Sequence, residues 1–195
     1  MIRTLLTIAA TVSVAGSALA KSTTWEIDPA HSSVEFSVKH MMVTNVRGEF
    51  GGLHGTVTYD PDNPANDAVE ASVSSSTVNT REEKRDLHLK SADFFDVANF
   101  PELTFKSKKV TQKGGLLKVE GDLTIHGVTR PVTFEVTPLS PPIKNPWGNI
   151  VSGAHATAKI DRYDYGLKWN KALEAGGVLV GQEVTINLDV ELKAK

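Results

Sequence analysis

Between Val178 and Leu192, the residues Val178, Val180, Val184, Ile186, Leu188, Val190 and Leu192 share one parity, broken only by Gln182. Glu183, Thr185, Asn187, Asp189 and Glu191 fill the other. A period of two places successive side chains on opposite faces of a strand, so this run has one apolar face and one wet face. Such a strand needs neighbours on both edges to satisfy its backbone and a partner layer to cover its apolar side.

The same alternation recurs from Trp25 onward. Val34, Phe36 and Val38 stand against Ser33, Glu35 and Ser37; Leu53, Val57 and Tyr59 against His54, Thr56 and Thr58; Val69, Ala71 and Val73 against Glu70 and Ser72. Further runs are Leu103 and Phe105; Leu117, Val119, Leu123 and Ile125; Val132, Phe134 and Val136; and Ala154, Ala156, Ala158 and Ile160. Turn residues separate them: Asp60-Pro61-Asp62-Asn63-Pro64, Lys113-Gly114-Gly115, Gly127, and Pro141-Pro142 through Pro146-Trp147-Gly148. One segment differs. Thr80–Lys90 holds Glu82, Glu83, Lys84 and Arg85 with Leu87 and Leu89 and no turn residue, which predicts a short helix capped by Asn79 or Thr80.

About eight strands in consecutive order form an antiparallel meander, and closure into a barrel removes its exposed edges. The fold class is therefore all-β, an eight-stranded antiparallel barrel with a short helix near its mouth. Ala71, Gly121, Ala154, Ala156 and Ala158 fall on inward parities. Small inward residues fit either a cavity kept open for a ligand or a barrel tapering at one end.

The chain has 195 residues and no cysteine, so its core alone must hold it, without disulfides or thiolate metal sites. Arg3, the short apolar run Leu5 to Val14 and the small-x-small site Ala18-Leu19-Ala20 read as a secretory signal peptide over residues 1–20. Cleavage after Ala20 leaves 21–195 as one domain, exported to the periplasm and, lacking cysteine, with no site for lipoprotein acylation. No later segment approaches the roughly 20 apolar residues of a membrane span. The 21 Lys and Arg are well mixed with 23 Asp and Glu, which gives no nucleic-acid patch.

Catalytic signatures are missing: there is no nucleophile elbow, phosphate loop or dinucleotide fingerprint. His31, His40, His54, His88, His126 and His155 are scattered without the close pairing of a zinc site, so no metal and no cofactor is expected. His31 and His88 sit in polar motifs where an imidazole can bridge a strand end and a loop. Arg85, Asp86 and Asp93 could form an acid/base set, but without an activated nucleophile they read as ion pairs fixing the helix and its loop. Tyr163, Tyr165, Lys168 and Trp169 gather near Asp161 and Arg162, where they would recognise a polar headgroup or close the barrel end with a hydrogen-bonded corner.

Several ordered motifs carry a family resemblance. They are Trp25-Glu26-Ile27-Asp28-Pro29-Ala30-His31-Ser32 running on to His40, Gly48-Glu49-Phe50, Arg85-Asp86-Leu87-His88-Leu89-Lys90-Ser91-Ala92-Asp93-Phe94-Phe95-Asp96, and Phe100-Pro101-Glu102-Leu103-Thr104-Phe105. Gly121-Asp122-Leu123-Thr124-Ile125-His126-Gly127 and Asp161-Arg162-Tyr163-Asp164-Tyr165-Gly166-Leu167 continue the series over the whole mature chain. Together they resemble YceI-like domains. The resemblance implies an extended lipocalin-like barrel that binds a polyisoprenoid, an isoprenoid quinone or a related long apolar amphiphile, and that often pairs as a homodimer.

On that reading the ligand-lining candidates are the inward-parity residues Phe36, Val38, Leu53, Phe105, Leu123, Ile125, Phe134, Ile160, Ile186 and Leu188, although for any single one of them plain core packing is the first expectation. Phe94, Phe95 and Phe100, after the helix, would floor the mouth or anchor the loop; Trp169 joins the candidates from the Asp161–Trp169 cluster. The competing functions are a stress-related interaction protein acting through its surface and an enzyme acting on a lipid.

Overall fold

The computed structural model describes residues 22–174 and 176–195; the signal-peptide reading lies outside them. The strands are β1 (Thr23–Ile27), β2 (Ser33–His40), β3 (Thr44–Phe50), β4 (His54–Tyr59), β5 (Ala68–Ser74), β6 (Glu102–Lys113), β7 (Leu116–Ile125), β8 (Val128–Val136), β9 (Ile143–Lys144), β10 (Ile150–Asp161) and β11 (Val180–Ala194). One α-helix, α1 (Glu83–Lys90), interrupts them.

All pairings are antiparallel, and β10–β11 pairing closes the ring. β1 and β2 lie end to end along β11, with Ile27 opposite Leu192 and Val34 opposite Leu188. β3 and β4 follow in the same way, β3 on β2 and β4 on β1. The barrel is thus an eight-strand meander in which two long strands are each broken once, at Asp28–Ser32 and at Gly51–Leu53.

Local chemistry explains the turns. Gly114 and Gly115 both have positive φ (62° and 81°), the two-residue hairpin that matches strand twist. His126 and Gly127 repeat this at φ 50° and 70°, where Phe100 covers the bare Gly127 Cα face.

The helix starts later than its sequence suggests. Glu82, not Asn79 or Thr80, caps it, its carboxylate accepting from the Lys84 and Arg85 amides. Thr80 is held instead by its neighbours: its amide donates to Asp86 Oδ1 at 2.8 Å, and its hydroxyl accepts from Arg85 Nε at 2.7 Å. Arg85 and Asp86 therefore fix the helix to its incoming loop through Thr80 rather than by pairing with each other, while Asp93 holds His88 at 2.9 Å.

The barrel has two unlike ends. One, called here the helix end, carries the β2–β3 and β7–β8 hairpins, the segment 75–101 with α1, and the segment 162–179. The other, the terminal end, carries both described chain ends, the loop 60–67, the Gly114–Gly115 hairpin and the stretch 137–149 with β9.

Candidate functional site

An apolar cavity of about 270 Å³ lies inside the barrel, with wall residues drawn from both of its ends. On β11 its wall includes Val180, Val184, Ile186, Leu188, Val190 and Leu192, so the alternation in that strand is the wall itself. Ala154, Ala156 and Ile160 of β10 face it, as do Leu117, Val119, Leu123 and Ile125 of β7. Ala71, Ala154 and Ala156 do leave room at the lumen, whereas Ala158 is packed in the core beside it. Gly121 does not leave room: a Cβ there would lie 2.6 Å from the Phe105 ring, which fills the space. Gly48 is filled by Phe36 in the same manner.

Of the residues nominated from sequence, Phe36, Val38, Leu53, Phe94, Phe95, Phe105, Leu123, Ile125, Phe134, Ile160, Ile186 and Leu188 stand on the cavity wall. Leu53 does so from the break between β3 and β4, not from a strand. Phe100 and Trp169 are not on the wall. Phe100 packs against His126, with ring centroids 4.5 Å apart. Trp169 stacks edge-on with His88 at 4.7 Å and tilts against Phe94 at 5.4 Å, bracing the loop from behind. The loop-anchoring reading therefore describes Phe100, and the wall reading describes Phe94 and Phe95.

Sequence reasoning missed other lining groups. Phe50, Val57, Tyr59, Val69 and Val73 share the inward face and were open to the same parity argument. Val110 was hidden by a bulge between Ser107 and Lys109 that switches the inward parity of β6. Leu89 reaches the cavity from α1, and Leu139 from the proline-rich stretch. Charged residues also line it: Glu35 from β2, Arg162 at the helix end and Asp67 at the terminal end.

Arg162 is only 4% exposed. Its Nε donates to the Gly181 carbonyl at 2.8 Å, and its terminal nitrogens donate to the Leu167 and Val180 carbonyls, tying 162–167 to the start of β11. Asn170 adds bonds to Tyr163 Oη and the Val180 carbonyl, so a hydrogen-bonded corner does close this end. Burial lowers the Arg162 pKa and pushes that of Tyr165 up to about 12. Desolvation also raises Asp67, whose Oδ1 accepts the Asp60 amide at 2.8 Å.

The densest charge cluster lies on the outer wall. Asp28, 3% exposed, binds Lys193 Nζ and His31 Nδ1 through one carboxylate oxygen, each at 2.8 Å, while its other oxygen accepts the Ala30 amide. Lys193 followed by His31 holds its carboxyl well below the usual range, and Asp28 in turn raises His31. With Glu191 these residues are close enough to hold a metal ion, but the Lys193 ammonium already supplies the positive charge. His31 pairs with Asp28 and His88 with Asp93, each within its own stretch of chain.

A closed antiparallel meander around an apolar cavity defines a lipocalin-like barrel. The chain belongs to the YceI-like domain family, whose model matches residues 25–192. It is 41% identical over 170 residues to a UPF0312 protein of Staphylococcus aureus (strain N315), covering 87% of this chain and 96% of that one. The solved structure of Burkholderia cenocepacia BcnA superposes with a TM-score of 0.74 at 22% identity, covering 85% of this chain and 98% of that chain. A polyisoprenoid binding domain from Saccharophagus degradans, implicated in plant cell wall breakdown, superposes with a TM-score of 0.61 at 16% identity, covering 90% and 100%. At these two identities the likeness is one of fold.

Proposed function

We propose that the protein is exported, loses residues 1–20, and carries or sequesters a long-chain apolar amphiphile, a polyisoprenoid or an isoprenoid quinone, in the periplasm. The observation that carries this reading is the lumen, which is apolar almost throughout and long rather than round. From Val180 to Leu192 the wall follows one strand for roughly 40 Å at ~3.3 Å per residue. A strand tilt of ~40° makes that about 30 Å along the barrel axis. With carbon–carbon bonds of about 1.5 Å, an isoprene unit advances roughly 4–5 Å, so the lumen suits a chain of several units. Each unit buries ~100 Å², or roughly 2.5 kcal/mol at ~25 cal/mol/Å² before ordering costs, so affinity should climb with chain length.

The same lumen argues for binding rather than catalysis, since among the described residues it gathers no activated nucleophile beside a base. A role as an interaction protein finds some support at the β2–β3 hairpin tip, where Met41, Met42 and Val43 are exposed; that tip and the family resemblance are also the grounds for a homodimer. Native mass spectrometry of the protein purified from its own periplasm, followed by organic extraction, tests the reading. A stoichiometric polyprenyl or quinone adduct on a chain starting at Lys21 is expected. A ligand-free protein that also refuses added prenyl lipids would turn the argument toward the exposed hairpin.

A further inference from the structure

Tyr165 is 1% exposed, yet its hydroxyl has no hydrogen-bond partner. Buried hydroxyls are almost always paired, so an orphan in a barrel otherwise well satisfied points to a partner that arrives from outside the chain. Three residues earlier, Arg162 places a buried guanidinium on the cavity wall. A guanidinium has five N–H donors, and three carbonyls engage this one. Among the described residues no carboxylate lies within ion-pair distance of it.

Arg162 and Tyr165 are the two buried residues of one 3₁₀ turn, Arg162–Tyr165. Side chains three apart on such a turn eclipse, so both turn to the same side; Arg162 stands on the cavity wall, and Tyr165 packs behind it. Tyr165 packs in a cluster with Leu123, Ile125, Leu167, Phe95 and Ile160, all of them wall residues. The residue thus packs directly behind the lumen wall at the helix end, its hydroxyl buried and unpaired. The unused groups there are donors, because the nearby Leu167, Val180 and Gly181 carbonyls already accept from Arg162. The terminal end has the opposite character, with Asp67 on the wall and Asp60 buried behind it.

We propose that Arg162 and Tyr165 form a headgroup subsite that takes the acceptor oxygen of an amphiphile, a quinone carbonyl or a carboxylate, and so fixes the ligand with its polar end at the helix end and its tail toward Asp67. This rests on the apolar-chain reading of the lumen and adds to it a direction and a head chemistry. The raised phenol pKa keeps Tyr165 a hydroxyl donor at any physiological pH.

The test compares three probes of equal tail length: a prenylated benzoquinone, a polyprenyl carboxylic acid and the headless polyprenyl hydrocarbon. Each is titrated into wild-type protein and Tyr165→Phe. The variant should fold at least as stably, since it removes only an unpaired hydroxyl. It should weaken the quinone and the acid relative to the hydrocarbon by about 3- to 10-fold, the scale of one hydrogen bond. Infrared spectra of the wild-type quinone complex should show a carbonyl stretch shifted down by hydrogen bonding and partly restored in the variant. Which of quinone and acid binds tighter identifies the head. Equal affinities for headed and headless chains in both proteins, or an unshifted carbonyl, overturn the subsite while leaving the lumen reading intact. Failure of the hydrocarbon itself to bind overturns both.

Discussion

At the terminal end the wall is backbone from strand to strand. β1 reaches Ala194 of β11, β4 carries the wall to Tyr59, and beyond Val136 the ladder to β10 is prolonged by Thr137, Ser140 and β9. At the helix end two seams lack such a ladder. β3 is joined to the chain after β5 by no ladder beyond the isolated Glu49–Asn79 bridge among the described residues, and segment 75–101 packs Leu89, Phe94 and Phe95 across the gap. β8 pairs with β10 only at Val136–Ala156 and Glu135–Thr157, and above that point Tyr165 and Leu167 fill the space. One end is closed by peptide hydrogen bonds, the other by side chains. Side chains can swing aside without breaking a ladder, so the helix end is the end through which a chain would enter.

That contrast has meaning only if one lumen joins the two ends. Ala156→Phe places a phenyl ring in its wall and should reduce the affinity for long prenyl chains by ~100-fold or more, while overpacking costs about 1–3 kcal/mol. Binding titrations beside thermal melts check this. Unchanged affinity would mean that the ligand occupies one end alone.

The second largest effect should fall on the side-chain closure. Phe50, 6% exposed, lies 5.6 Å from the Phe36 ring and edge-on to Phe95 at 5.3 Å, so it ties β3 to the segment that covers the seam. Phe50→Ala should cost about 3 kcal/mol. It should also speed ligand entry and exit, as stopped-flow exchange would show. A slower exchange would place the gate at the terminal end.

How much of this could be read from the chain varied with the kind of bond. Strands such as β7 and β11 were legible because Leu117, Val119, Leu123 and Ile125, or Ile186, Leu188 and Val190, repeat one parity against a uniform lumen. β3 was not, because Gly48 on its inward face leaves no apolar mark and the Phe36 ring opposite takes its place. In β6 the bulge moved the inward position to Val110 and ended the pattern early. The helix-end loops carried their wall residues, Phe94 and Phe95, in plain view, but parity has no hold on a loop, and Phe100 and Trp169 looked alike while serving to brace it. The Arg162–Tyr165 pair was visible only as a polar cluster; which of its donors lacked partners depends on where the Leu167 and Val180 carbonyls lie in space.

The terminal half of the wall should respond to pH, because Asp28, His31 and Lys193 join β1 to β11 there by charge. The fold raises His31, so its share of stability is complete below its unfolded value of about 6.5 and fades as pH rises through the folded value. Asp28 is depressed, so its share is complete above about 3.9 and is lost as pH falls toward its folded value. Stability from this cluster should therefore be greatest between about pH 4 and 6.5. In Tm measured against pH, His31→Gln should flatten the alkaline limb and reduce the acid limb only in part, because Lys193 is the larger cause of the Asp28 shift. A variant that still loses stability between neutral and mildly alkaline pH in parallel with wild type would assign that limb elsewhere.

The smallest expected effect bears most directly on which end moves. Glu82 caps α1 through the Lys84 and Arg85 amides on an exposed turn. Glu82→Ala should cost only about 0.5–1 kcal/mol. Because α1 carries Leu89 into the lumen, fraying its first turn should still be felt by a bound chain. Hydrogen exchange should show faster opening of Glu83–Lys90 in the free variant, recovered on addition of a prenylated quinone, with no change at Ala68–Ser74 or the loop 60–67 beside it. Ligand protection confined to those terminal-end amides would reverse the assignment of gate and floor.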